Sequence, residues 1–226
     1  MGKSLRLMTV NLLGIRAVPA SLAEVIDRLR PDLMVTQELA PDAADVLADR
    51  FPHHRLQPRV DHGGNGIASM IPTEFGEILL PWRSGLWGRV EIGGTRPIIA
   101  GVHMRNPIVM PWWRSARIRG EQLDALFDWA EGLVDRDAPL VLAGDMNASP
   151  SWPVYRRLAE RWDDLVAEAA AEDGVKPDPT WAWRPGWPRL LRIDHVFGTG
   201  ARVVRTQVEP VRGSDHAAVV VDLEFG

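Results

Sequence analysis

Apolar residues fall along the chain in short runs: Leu5–Val10, Leu33–Thr36, Gly66–Ile71, Ile98–Val102, Leu140–Ala143, Ile193–Phe197 and Ala217–Leu223. Most are too short for a helix and are bounded by Gly, Pro or Asp, which reads as strand punctuation. Two segments between them carry a helical period instead. Leu22–Leu29 is opened by Ser21 as an N-cap, with Glu24 as its capping-box partner, and is closed by Pro31. A longer helix is expected over Ser115 to Asp135, where Leu123, Leu126, Phe127, Ala130, Leu133 and Val134 line one face.

Helices alternate with strands at first, but several strands follow one another from about Gly66 to Val102 and again near the C-terminus. That order favours mixed sheets flanked by helices over a purely parallel, doubly wound sheet. There is no internal repeat and no linker long enough to divide the chain, so one domain over residues 1–226 is expected. The least regular stretch, Asp173–Arg192, is rich in proline and tryptophan. It reads as a long ordered loop beside the active face.

Composition narrows the chemistry. A formal charge of −4 argues against a broad polycationic surface, so any polyanion must meet a local basic patch or a metal ion. The absence of cysteine removes disulfides, thiolate metal sites and cysteine nucleophiles. The N-terminal residues enter a strand almost at once, without a basic and then apolar leader, and no run is long enough to span a bilayer. The expectation is a cytoplasmic protein with no stable membrane insertion and no evident protein partner.

Several of these strands end in polar residues that a core would not select. Leu5–Val10 runs into Asn11, Leu33–Thr36 into Gln37 and Glu38, and Ile98–Val102 into His103. Leu140–Ala143 runs into Gly144-Asp145-Met146-Asn147. Two further clusters are Arg192-Ile193-Asp194-His195 and Gly213-Ser214-Asp215-His216. One acid after a strand is usually a turn residue or a helix cap, Asn11 before Gly14 suits a turn, and His103 alone suits a core. Turn preference does not account for so many such places adjoining strands. Ligands bind open sheets at strand carboxyl ends, and oxygen ligands of this kind suit Mg²⁺, with Mn²⁺ as a substitute. Glu38 is the first candidate ligand, with Asp145, Asp215 and Asn11 beside it. Asp145 can orient or deprotonate water, Asn147 can donate to a charged oxygen, and a carboxylate-held His216 can donate to phosphate.

In this order, Thr9-Val10-Asn11, Gln37-Glu38, Gly144-Asp145-Met146-Asn147, Arg192-Ile193-Asp194 and Ser214-Asp215-His216 resemble the endonuclease/exonuclease/phosphatase superfamily, with its deoxyribonuclease I-like fold. The resemblance runs from Leu5 to Leu223. It implies a four-layer α/β sandwich, two mixed sheets packed together with helices outside. It also implies a metal-dependent hydrolase of phosphoesters. By position, Glu38 matches the principal metal ligand, with Asn11 at the metal or phosphate and Asp215 at a further metal-site carboxylate. Asp145 matches the residue that activates water, Asn147 its phosphate-contacting neighbour, and His216 the histidine at the scissile phosphate. Asp194 matches the carboxylate that orients that histidine. His103 and Asn106 fall where members carry a His or Tyr and then a phosphate-contacting Asn. The chain departs from the pattern twice. Met70-Ile71-Pro72 stands where many members have an arginine, and His62-Gly63-Gly64-Asn65 offers no acid to pair with His103.

Substrate choice is expected in the loops, which carry Trp112, Trp113, Arg114, Arg117 and Arg119, then Trp181, Trp183, Arg184, Trp187, Arg189 and Arg192. Any one of these tryptophans suits plain loop packing; together they form a rim, with Trp183 and Arg184 as candidate substrate contacts. Stacking aromatics with arginines suit single-stranded nucleic acid, which favours a nuclease or phosphodiesterase. The same residues suit a lipid headgroup, so a phosphatase or sphingomyelinase-like phosphodiesterase is the alternative.

Overall fold

The structure is a computed structural model and describes residues 4–108, 111–133 and 138–226. In chain order its elements are β1 (Ser4–Asn11), α1 (Pro19–Leu29), β2 (Leu33–Gln37), α2 (Pro41–Arg50), β3 (His53–Gln57), β4 (Asn65–Ser69), β5 (Thr73–Leu80), β6 (Arg83–Val90) and β7 (Ile98–His103). There follow α3 (Trp112–Glu131), β8 (Leu140–Asp145), α4 (Pro153–Ala159), β9 (Asp163–Asp164), α5 (Leu165–Glu172), β10 (Trp181–Ala182), β11 (Arg189–Leu191), β12 (Asp194–Thr199), β13 (Ala201–Pro210) and β14 (Ala217–Phe225).

The strands form two six-stranded mixed sheets, in the orders β13-β14-β1-β2-β4-β3 and β5-β6-β7-β8-β12-β9. Side chains alternate between strand faces, and both faces of the central strands are covered, which is why β8 opens on the unbroken apolar run Leu140–Ala143. Leu5 and Leu7 of β1 join Val35, Ile67, Ile99, Val141, Val196 and Val221 in the core between the sheets. Met8 and Val10 point the other way, onto Leu22, Val25 and Ile26 of α1 and Leu47 of α2. On the far side, Ala100, Val102 and Leu142 pack against Leu123 and Leu126 of α3 and Leu158 of α4. The result is the expected sandwich of two mixed sheets with helices outside.

Several local expectations need correction. The N-cap of α1 is Val18, not Ser21; Pro19 starts the helix a turn earlier because its fixed φ suits the first turn. Ser21 lies inside α1, and its hydroxyl accepts from the Arg212 backbone N–H at 3.1 Å. The long helix begins at Trp112 rather than Ser115. It ends at Glu131, with Gly132 as its C-cap, short of the expected Asp135; residues 134 and 135 and the side chain of Trp112 lie outside the described residues. Asp173–Arg192 is not wholly loop, since β10 and β11 pair within it as a short antiparallel hairpin.

Candidate active site

Strand register brings the polar strand ends together. In the first sheet β1 and β2 run parallel, so Asn11 lies beside Gln37. In the second, β8 lies between parallel β7 and antiparallel β12, which sets both His103 and Asp194 opposite Asp145. The two sheets then face each other across a cavity of about 310 Å³. Its lining includes Asn11, Glu38, His103, Asn106, Asp145, Asn147, Asp215 and His216.

The turns that follow these strands are demanding. Glu38 and Asn147 hold φ of +51° and +48°, a region L-residues other than Asn and Asp rarely occupy. Gly144 holds φ of +145°, and a Cβ there would lie 2.0 Å from the Val102 carbonyl oxygen. A glycine directly before Asp145 is therefore a steric requirement.

Oδ2 of Asp145 is the hub. It accepts from the side-chain amides of Asn11 at 3.0 Å and Asn147 at 2.9 Å, while Oδ1 accepts from the Asn147 backbone N–H at 2.8 Å. The other amide N–H of Asn147 goes to the Met104 carbonyl at 3.1 Å, so both its donors are engaged. Asn11 also donates to Glu38 at 3.3 Å. Nε2 of His103 stands 3.6 Å from Asp145 and 3.8 Å from Glu38, and its buried Nδ1 has no partner among the described residues. Nδ1 of His216 bonds Asp194 at 2.8 Å, which leaves Nε2 at 3.8 Å from Asp145.

Electrostatics separate these groups. Burial, with Asp194 adding to it, raises the Asp145 carboxyl above the usual range against the pull of His216. Burial acts against a charged His216, but Asp194 and Asp145 outweigh it and hold the imidazole protonated above its usual pKa. His103 goes the other way: burial, then repulsion from Arg83, His216 and His62, keeps it neutral.

Two site neighbours had no sequence signal beyond their residue type. Thr180 donates its hydroxyl to Asp194 at 2.6 Å and accepts from the Ile193 and Asp194 backbone N–H groups. Arg83, at the start of β6, enters the cavity. It brings an arginine to a site where Met70-Ile71-Pro72 offered none. Trp183 and Arg184 are not brought into the cavity. Both are exposed near the β10–β11 turn, where Arg184 lies 5.4 Å over the Trp187 ring.

The donor set fits a hard divalent cation: the carboxylate oxygens of Glu38, Asp145 and Asp215 line the cavity with no thiolate, while the Asn11 amide turns its nitrogen to Glu38 and Asp145 and its oxygen to the Leu13 N–H. Oδ1 of Asp215 is buried without a hydrogen-bond partner among the described residues, as an oxygen awaiting a cation would be. Asp145, Asp194 and His216 also lie close enough together to hold an ion. Nδ1 of His216 in that group already engages Asp194.

A family model described as the endonuclease/exonuclease/phosphatase family matches residues 8–216. The chain belongs to this family. Its members are enzymes that act on phosphoester bonds. Solved structures share the fold. An endonuclease/exonuclease/phosphatase from Beutenbergia cavernae is 24% identical with TM-score 0.74, over 99% of this chain and 72% of that one. Human Nocturnin's catalytic domain is 20% identical with TM-score 0.70, over 100% and 96%. D. rerio TDP2 is 16% identical with TM-score 0.75, over 98% and 99%. No curated protein sequence matches the chain. Among the described residues, no helix is long and apolar enough to cross a membrane.

Proposed function

We propose that the protein is a divalent-metal-dependent phosphodiesterase, a single catalytic domain over residues 1–226 that cleaves P–O bonds in nucleic acid by attack of water. The observation that carries this is the convergence of Asn11, Asn147, His103 and His216 on the carboxylate of Asp145, with Glu38 joined to it through Asn11. The structure of D. rerio TDP2 with a single-strand DNA product, on the same fold, supports nucleic acid as the substrate.

In this reading Glu38, Asn11 and Asp215 hold Mg²⁺, or Mn²⁺ in its place. The bound ion supplies positive charge at the phosphoryl oxygens and favours deprotonation of water. Asp145, raised toward neutrality by burial, takes the proton of the attacking water. Asn147 steadies Asp145, and it contacts phosphate only by giving up one of its two bonds. His216, charged and oriented by Asp194, donates through Nε2 to the phosphate and its leaving oxygen. His103, neutral, and Asn106 contact phosphate from the β7 side. Trp183 and Arg184 meet the substrate beyond the cavity.

The exposed Trp183, Trp187 and Leu190 favour one second reading, hydrolysis of a lipid-linked phosphoester. A panel of oligonucleotides, phosphomonoesters and phospholipids with Mg²⁺, run beside EDTA and Glu38→Ala, tests both. Oligonucleotide cleavage lost with EDTA and with Glu38→Ala is the expected result. Cleavage of the phospholipid alone would sustain the second reading, and full activity in EDTA would overturn both.

A further inference from the structure

Beside the cavity, and sharing His62 and Arg83 with it, lies an open groove of about 650 Å³. Arg59, Arg83 and Arg105 meet there with Ser84 and Trp82. Burial, and then repulsion from Arg105, weakens the hold of Arg83 on its proton despite the pull of Glu38 and Asp145. Arg83 gives one donor to the His62 carbonyl. Nε of Arg105 is buried with no hydrogen-bond partner among the described residues. The acid in the groove, Asp61, is already held by Arg59 at 2.7 Å and by the Gly63 N–H at 2.9 Å.

Trp82 stands at the tip of the β5–β6 hairpin, 64% exposed and at φ of +65°. Arg114 lies 5.5 Å from its ring centroid and adds positive charge. Two like charges and an unmet donor are costly beside one another, and an anion between them relieves both. An exposed aromatic next to that anion site is a stacking platform for a base. A net charge of −4 argues against a broad cationic surface, which suits a short contact with one flexible strand better than the broad backbone of a duplex.

We propose that this groove is a second phosphate subsite, in which Arg105 and Arg83 hold the phosphate next to the scissile one in a single-stranded nucleic acid while Trp82 stacks on the adjoining base. This rests on reading the cavity as a phosphodiesterase centre, and its test is built to fail separately. Binding of 5′-fluorescein octathymidylate is followed by anisotropy in EDTA at several salt concentrations. Arg105→Ala is expected to weaken binding about tenfold and to reduce the slope of log affinity against log salt by about 0.7. Trp82→Ala is expected to weaken it about tenfold with the slope unchanged, as loss of one stacked base would. Thermal melts confirm folding, and Arg105→Gln replaces Arg105→Ala if the latter melts early.

Absence of binding by the unaltered protein, or equal affinity of all variants, overturns the subsite. So does a loss on Arg105→Ala confined to phosphatidylserine vesicles. Cleavage of the same oligonucleotide with Mn²⁺ is scored apart. Binding through Arg105 without cleavage keeps the subsite and overturns the proposed hydrolysis. Cleavage with no dependence on Arg105 or Trp82 does the reverse.

Discussion

The carboxylate of Asp194 engages Nδ1 of His216 at 2.8 Å and so fixes which ring nitrogen faces Asp145. Asp194→Asn keeps the shape but removes the charge that holds His216 protonated. We expect kcat on a phosphodiester to fall about 100-fold or more, with KM little changed, in steady-state assays.

Thr180 orients Asp194 through its hydroxyl without touching the cavity itself. Thr180→Ser is expected to retain most activity, while Thr180→Val lowers kcat about tenfold. Equal activity of the two variants would show that the hydroxyl is dispensable.

Glu38 faces Asn11 and also the His62 side chain. Glu38→Gln is expected to weaken Mn²⁺ binding about tenfold or more by calorimetry, with the melting temperature in EDTA little changed.

Gly144 admits no side chain, since a Cβ would meet the Val102 carbonyl. Gly144→Ala should cost about 2 kcal/mol or more, read as a lower denaturant midpoint with an unchanged slope.

Away from the site, burial acts to raise the Asp164 carboxyl, but His195 and Arg192 outweigh it and hold it below the usual carboxylate range. Arg192 reaches it at 2.7 and 3.1 Å. A folded pKa below the unfolded one means stabilisation that is complete above the unfolded value and is lost as pH falls through the folded one. Stability measured by urea titration should therefore drop more steeply between about pH 5 and pH 2 in the natural protein than in Asp164→Asn.

Much of this was legible in the chain. The run Leu140–Ala143 followed by Gly144-Asp145-Met146-Asn147 announces a buried strand and the polar turn after it, because apolar character persists only where both faces are covered. The helix α2 was not legible: its Ala- and Asp-rich sequence has only a narrow apolar stripe, and packing on the first sheet settles it. The start of α1 lies ahead of where its sequence points, because Ser21 and Glu24 match a capping box that Pro19 pre-empts. Arg83 gave no signal, being one arginine among many on a hairpin.

The sequence by itself determined mixed sheets flanked by helices and the inventory of polar strand ends, since periodicity and chemical type are properties of neighbours along the chain; the sandwich was what the family resemblance implied. Only the tertiary structure decided who meets whom. Asp145 lies opposite Asp194 through β-sheet register, Asn147 spends one amide donor on the distant Met104 carbonyl, and Thr180 and Arg83 arrive from distant segments. Those pairings depend on register and on the packing of two sheets, which are long-range relations that no local pattern encodes.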